Sequence, residues 1–255
     1  MLNKHSIAIV HRHYLVWRSL IWSSLASNVV NPILFLFAFG FGLGAFIDTM
    51  SGIDYIDFVV PGMAAYAAMF AASFETTIGA YSRYAMQRTW DAMLATPITL
   101  PELLFGEVMW AALKGVFSAA CVTVVGAAWG GVDTIAGALL ALVLVFAGSL
   151  GFAAFGLLAT SAARGYEFFS YFFTFWLTPM FVFSGVFFDV ERFPAAVQAL
   201  SWLLPMTHLI AVMRPLMNGL PLDTVGALVH VAYVLGLGML AFWLALRNMR
   251  NRLFD

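Results

Sequence analysis

Charge is scarce in this chain of 255 residues: 10% are Asp, Glu, Lys or Arg, while 63% are hydrophobic. Soluble domains carry about 25% charged and about 45–50% apolar residues, so too few charges remain here to coat a water-facing surface. One soluble domain, or two small ones, is excluded on that ground, and the chain reads as an integral membrane protein. The net charge of −1 gives no argument for nucleic acid. Cysteine is nearly absent: Cys121 stands alone in an apolar run, so no intrachain disulfide can form and the thiol reads as a small hydrophobe. Lysine is as rare. Neither Lys4 nor Lys114 stands in a G-x-x-x-x-G-K-[ST] loop, so the chain has no phosphate cradle of that kind. If ATP drives this protein, another chain binds it. Residues 1–27 also lack the basic, apolar, small-residue order of a cleavable signal peptide.

Long apolar runs stand in place of the missing charge. A spanning helix needs about 20 apolar residues to cross about 30 Å of hydrocarbon. Six stretches qualify: Asn28–Ile47, Phe58–Tyr81, Leu103–Ala128, Thr134–Thr160, Phe168–Phe188 and Thr224–Leu246. Between the last two, Asp189–Asp223 is apolar but broken by Pro194, Pro205, Pro215, Gly219 and Pro221. Those breaks suit two half-helices dipping into one face of the bilayer, not a seventh straight span.

Basic residues set the orientation. With six spans, one side carries Lys4, Arg12, Arg18, Arg83, Arg88, Arg164, Arg247, Arg250 and Arg252; the other carries Arg192 and Arg214 among seven acids. The imbalance places both termini in the cytoplasm. Before the first span, Ile7, Val10, Tyr14, Trp17, Ile21 and Leu25 recur at helical steps, with Lys4, His11 and Arg18 on another face. This pattern predicts an amphipathic helix lying in the interface; an extension of the first span is the alternative. The expected fold is therefore all-α and integral to the membrane. It has an N-terminal interfacial helix (1–27) and a six-helix domain (28–255) with a cytoplasmic loop (82–101) and a broken external segment (189–223).

Three ionisable groups fall inside spans: Glu75, Glu107 and Lys114. Intramembrane charge is costly, so each group is either part of a polar lock between helices or part of a substrate route or hinge. Glu107 and Lys114 sit two turns apart on similar faces of one helix, with Lys114 reaching toward a carboxylate. A proton-coupled carrier also uses buried carboxylates, but the two halves of the chain show no repeat and the broken segment occurs once. In the fifth span, 11 of the 21 residues from Phe168 to Phe188 are aromatic. Phe172, Phe175 and Trp176 there either line a path for sugar rings or acyl chains or simply pack helices. The loop helix places Arg83, Gln87 and Asp91 at steps of four beside Arg88, with Trp90, Met93 and Leu94 as apolar contacts; such a helix can dock in a groove on a soluble partner. His208 and Arg214 lie in the broken segment. The five histidines form no metal set, His208 and His230 reading as isolated, and no catalytic set emerges.

Several strings become recognisable together. They are Phe74-Glu75-Thr76-Thr77, Gln87 to Leu94, Gly106-Glu107, Leu177-Thr178-Pro179-Met180, Phe183-Ser184-Gly185 and Leu204-Pro205-Met206-Thr207-His208 through Arg214-Pro215. With the span outline, they resemble the ABC type-2 permeases, and within them the nodulation-type permease that exports lipo-chitooligosaccharide. The resemblance implies the membrane subunit of a bacterial inner-membrane exporter, with no enzyme activity or cofactor of its own and with ATP and Mg on a partner ATPase. It implies a homodimer and makes Gln87–Leu94 the coupling helix, with Arg83 among the ATPase-coupling residues. Glu75, Glu107 and Lys114 are implied at the path or its hinge, and His208 and Arg214 at the external gate. An amphiphilic, glycolipid-like cargo fits the aromatic fifth span. The alternatives are efflux of a hydrophobic drug or pigment, an ion- or proton-coupled carrier without an ATPase, and a scaffold that transports nothing.

Overall fold

The computed structural model describes residues 4–254 and is almost entirely helical. Helix α1 (Lys4–Ser19) leads into α2, whose helical turns run from 21 to 43. A two-residue hairpin, β1 (Thr49–Met50) with β2 (Ile53–Asp54), turns the chain into α3 (Tyr55–Met86). Short helix α4 (Thr89–Leu94) precedes α5 (Leu100–Ala128), α6 (Ile135–Ala162) and α7, which runs from 167 to 183. Then come α8 (Ala195–Ser201), α9 (Pro205–Met217) and α10 (Thr224–Phe254).

Helices α3, α5, α6 and α10 are long and apolar enough to cross a membrane. Of the six expected spans, the first and fifth are shorter than that test requires. The apolar part of α2 is Asn31–Leu43, and α7 stops at Phe183, because Ser184 and the left-handed Gly185 (φ 81°) end it. The broken segment is a helix pair, α8 and α9, bent by 86° at the residues before Pro205. Proline suits that first helical position, because its missing N–H would be unpaired there anyway.

Helix α3 is the centre of the bundle: 83% of its most apolar stretch is buried, against 17% for α10, whose outer face is left to lipid. Small residues let the helices approach closely. A Cβ on Gly115 of α5 would sit 2.5 Å from Ser149 Oγ on α6 and 3.1 Å from the Ala68 carbonyl on α3. At Gly156 of α6 a Cβ would collide with Thr76. Helix α5 starts with a capping box: Thr99 and Glu102 bond each other's end of the first turn, and Pro101 stands just inside it. At its far end, α6 is closed by Arg252, which donates to the carbonyls of Thr160 (3.3 Å) and Ser161 (3.2 Å).

One local expectation changes. The loop does not form one helix from Arg83 to Leu94: α3 continues through Met86, and the chain breaks at Arg88, which takes a left-handed conformation (φ 51°) before α4 begins. Helix α1 meets the protein along a face other than its apolar stripe. Ser6, Ile9 and His13 are buried against α5, whereas Ile7 and Tyr14 of the expected apolar stripe are exposed. The side chain of Leu25, the last member of that stripe, lies outside those described.

Candidate functional site

At the end of the bundle that carries α4, five polar side chains from three helices meet in one network. Glu75 and Arg83 project from α3, Glu107 and Lys114 from α5, and His13 from α1. The Arg83 guanidinium bridges both carboxylates, with Nη1 2.8 Å from Glu75 Oε1 and Nη2 2.5 Å from Glu107 Oε2. Its Nε also donates to Glu107 Oε1 at 3.2 Å, so the grip on Glu107 is bidentate. Lys114 Nζ donates to Glu75 Oε2 at 2.7 Å. Thus the lysine meets a carboxylate across helices, and that carboxylate is Glu75, not Glu107.

Glu107 is fully buried, at 0% exposure, and the Trp90 indole N–H donates to it at 3.0 Å. His13 Nε2 lies 3.2 Å from the same oxygen, but at an angle that makes no hydrogen bond. Two carboxylates facing two basic side chains balance in formal charge, which is the condition for keeping ions out of water. The network therefore ties α1, α3, α4 and α5 together, and Trp90 brings the loop into it.

The local backbone explains the meeting. Residues 75–79 and 82–86 of α3 are π turns, which rotate less per residue than an α-helix. Eight residues then come close to two turns, and Glu75 and Arg83 share a side. Gly79 sits between them; a Cβ there would lie 3.2 Å from both Arg83 Nη1 and Glu75 Oε1. Thr160 of α6 donates to the carbonyl of Thr76 at 2.7 Å, pinning the first π segment. A cavity of about 220 Å³ opens beside the network, lined by Glu75, Arg83, Lys114 and His13 together with Trp17 and Trp110.

The other named residues fall in separate places. Gln87, Arg88 and Asp91 are exposed on the loop, with Arg88 3.7 Å from Asp91; Met93 and Leu94 pack against the core, and Trp90 is buried. On α7, Phe175 is 73% exposed, while Phe172 and Trp176 lean on the core, Trp176 against Phe155 (5.1 Å). The exposed face of α7 mixes Glu167, Ser170, Thr174 and Thr178 with Phe168, Tyr171 and Phe175.

At the opposite end of the bundle, Arg214 of α9 donates to the carbonyls of Phe58 (3.1 Å) and Gly185 (2.5 Å) and covers the Phe58 ring at 3.6 Å. His208 and His230 are not isolated: their Nδ1 atoms are 2.6 Å apart, and His208 Nε2 donates to the Trp202 carbonyl at 2.8 Å. A carbonyl only accepts, so neutral His208 accepts from His230 through Nδ1. Trp202 stacks on His230, and Tyr233 lies tilted against His208, joining α9 to α10. No group of three or more potential metal ligands occurs among the described residues. The sequence reading missed His13, His230 and the inward direction of Arg83 and Trp90. Ending the second span at Tyr81 hid the eight-residue spacing from Glu75 to Arg83.

Several long apolar helices around a charge-balanced core, joined to a loop, define an α-helical multi-pass membrane protein whose interior connects to a surface helix. Residues 7–218 match the model of the ABC-2 type transporter family. The chain is 36% identical to Nodulation protein J of Rhizobium meliloti (strain 1021), over 97% of this chain and 93% of that one. It is 35% identical to Nodulation protein J of Rhizobium leguminosarum bv. trifolii, again over 97% and 93%. The Inner membrane transport permease YadH of Escherichia coli (strain K12) is 28% identical over 80% of this chain and 78% of its own. This chain belongs to the ABC-2 type transporter family and is the membrane permease subunit of an ABC exporter.

Proposed function

We propose that this permease works as a homodimer in a bacterial inner membrane, driven by a separate ATPase docked on the α3–α5 loop. Six crossings, with α2 and α7 completing the set, put both termini and the loop in the cytoplasm. The α8–α9 pair is then an external re-entrant segment, with His208 and Arg214 holding the gate to α10 and α3. Helix α1 lies in the cytoplasmic interface, with its exposed Ile7, Tyr14 and Leu15 toward lipid.

One observation carries the coupling reading: Trp90, inside the loop helix, bonds the fully buried Glu107 of α5. Gln87, Arg88 and Asp91 form the outer face that an ATPase would grip; Trp90 and Arg83 form the inner face that passes the movement on. A push on α4 displaces the Trp90 N–H, and through Glu107 and Arg83 it loads α3 and α5 together. The network of Glu75, Arg83, Glu107 and Lys114 is then the hinge of the path, not a binding site for cargo.

The cargo is an acylated or lipid-linked oligosaccharide. The exposed α7 face offers both hydroxyls and rings, with Phe175 foremost, which suits an amphiphile with sugar and acyl parts. Two relatives that carry the name Nodulation protein J accord with such a cargo. Proteoliposomes holding the permease and its ATPase test the reading. ATP-dependent movement of a labelled lipo-oligosaccharide is expected, lost on Arg88→Glu. Full transport by Arg88→Glu removes the loop from the coupling, and transport of a hydrophobic dye in place of the glycolipid removes the cargo assignment.

A further inference from the structure

A second feature lies on the outer surface of the bundle, away from the charge network. Between α5 and α10 runs an apolar crevice of about 420 Å³ with α6 as its floor. Gly151 and Ala154 keep the floor deep, Phe105 and Val108 form one wall, and Leu235, Met239, Phe242 and Leu246 of α10 form the other. Those four α10 residues recur at helical steps on one face. Trp243 and Leu246 continue into a second cavity of about 390 Å³, whose lining also holds Thr99, Arg247 and Arg250. The crevice is thus apolar along its length and basic at one mouth. Arg247 and Arg250 are exposed, and among the described residues neither pairs with a carboxylate. Arg247 lies 5.9 Å over the Trp243 ring, so charge and interfacial aromatic stand together at the mouth.

A long dry slot in a bilayer fills with acyl chain, and two guanidiniums that pair with no carboxylate among the described residues, at its cytoplasmic end, select a negative headgroup. We propose that this crevice is a binding site for an anionic phospholipid of the inner leaflet. One acyl chain lies on Gly151 and Ala154, and the phosphate rests between Arg247 and Arg250 beside Trp243. The site uses the last helix and the beginning of α5, directly after the loop helix. An occupied crevice would brace α5 against α10 where Phe105 meets Phe242 edge to face.

Native mass spectrometry of the full-length chain in detergent, titrated with phosphatidylglycerol or with phosphatidylcholine of the same chains, tests the proposal. Phosphatidylglycerol binds in preference. Two arginines near the membrane surface are worth about thirtyfold in affinity together, so the double variant Arg247→Gln/Arg250→Gln loses roughly that factor. Arg247→Lys/Arg250→Lys retains most of the binding, and Leu150→Trp, which narrows the crevice, weakens it with both arginines intact. Equal binding of the two lipids overturns the site, as does unchanged binding in the double Gln variant. Competition by inorganic phosphate alone makes it a free-anion site and overturns it also. So does disulfide crosslinking of Met239→Cys between two copies in a Cys121→Ser background, because a second copy then covers the crevice.

Discussion

Replacing Arg83 by Met removes the cation that two carboxylates share. Glu107 has no exposure and keeps one good hydrogen bond, from Trp90; Glu75 keeps Lys114. Removing one partner of a buried ion pair costs about 3–5 kcal/mol, because the other charge stays buried without compensation. Lys114 still neutralises Glu75, so the lower figure applies and Arg83→Met should cost about 3 kcal/mol. Glu107→Leu leaves Arg83 with Glu75 alone and should cost about the same. The double variant puts apolar side chains where the pair met. Its loss should be about 3 kcal/mol, not the roughly 6 of simple addition, a coupling of about 3 kcal/mol. Reversible unfolding in mixed micelles, titrated with SDS and followed by far-ultraviolet circular dichroism, measures all three. Single losses that add within about 0.5 kcal/mol mean the two residues do not act on each other, and the network as described is wrong.

Four further outcomes follow from the same geometry. Glu75→Gln and Lys114→Met should couple strongly in a double-mutant cycle, while Glu107→Gln and Lys114→Met should couple less, because among the described residues Lys114 pairs with Glu75 and with no other carboxylate; the reverse order refutes the pairing. Trp90→Phe keeps the buried ring but deletes the N–H, costing about 1.5–3 kcal/mol for a bond to a charged acceptor, read in the same unfolding assay. Gly79→Ala brings a methyl to 3.2 Å from both Arg83 and Glu75 and should destabilise by about 1–3 kcal/mol; a neutral result shows that the pair has room to move. His208→Phe removes the bonds to His230 and to the Trp202 carbonyl, so cysteines placed at α9 and α10 should crosslink less efficiently than in the parent chain.

Much of the bundle is legible in the sequence because apolar length is a direct physical requirement of a bilayer. The runs that became α3, α5, α6 and α10 announce themselves, although α3 and α10 extend five and eight residues beyond the expected ends, to Met86 and Phe254. The aromatic run at 168–188 is harder, since Ser184 and Gly185 halt the helix at Phe183 while the composition stays apolar. Glu75, Glu107 and Lys114 stand out because charge in such runs is rare. Their partners do not. His13 and Arg83 lie in segments where basic residues are ordinary, and only the packing of α1 on Gly106, where a Cβ would sit 2.8 Å from Ile9, turns His13 inward. The inward turn of Arg83 needs π turns in α3, which no residue pattern specifies. Trp90 reads equally well as a contact for a partner or for the core, and burial decides it. His208 and His230 stand 22 residues apart on helices that only tertiary packing brings together.

The most direct test of the account is the amount of lipo-oligosaccharide moved per ATP hydrolysed by the reconstituted transporter carrying Arg83→Met/Glu107→Leu. That variant keeps an apolar, folded interior but cuts the chain of bonds from Trp90 to α3. The account predicts continued ATP hydrolysis with cargo movement falling toward background. Transport per ATP equal to that of the parent chain contradicts it.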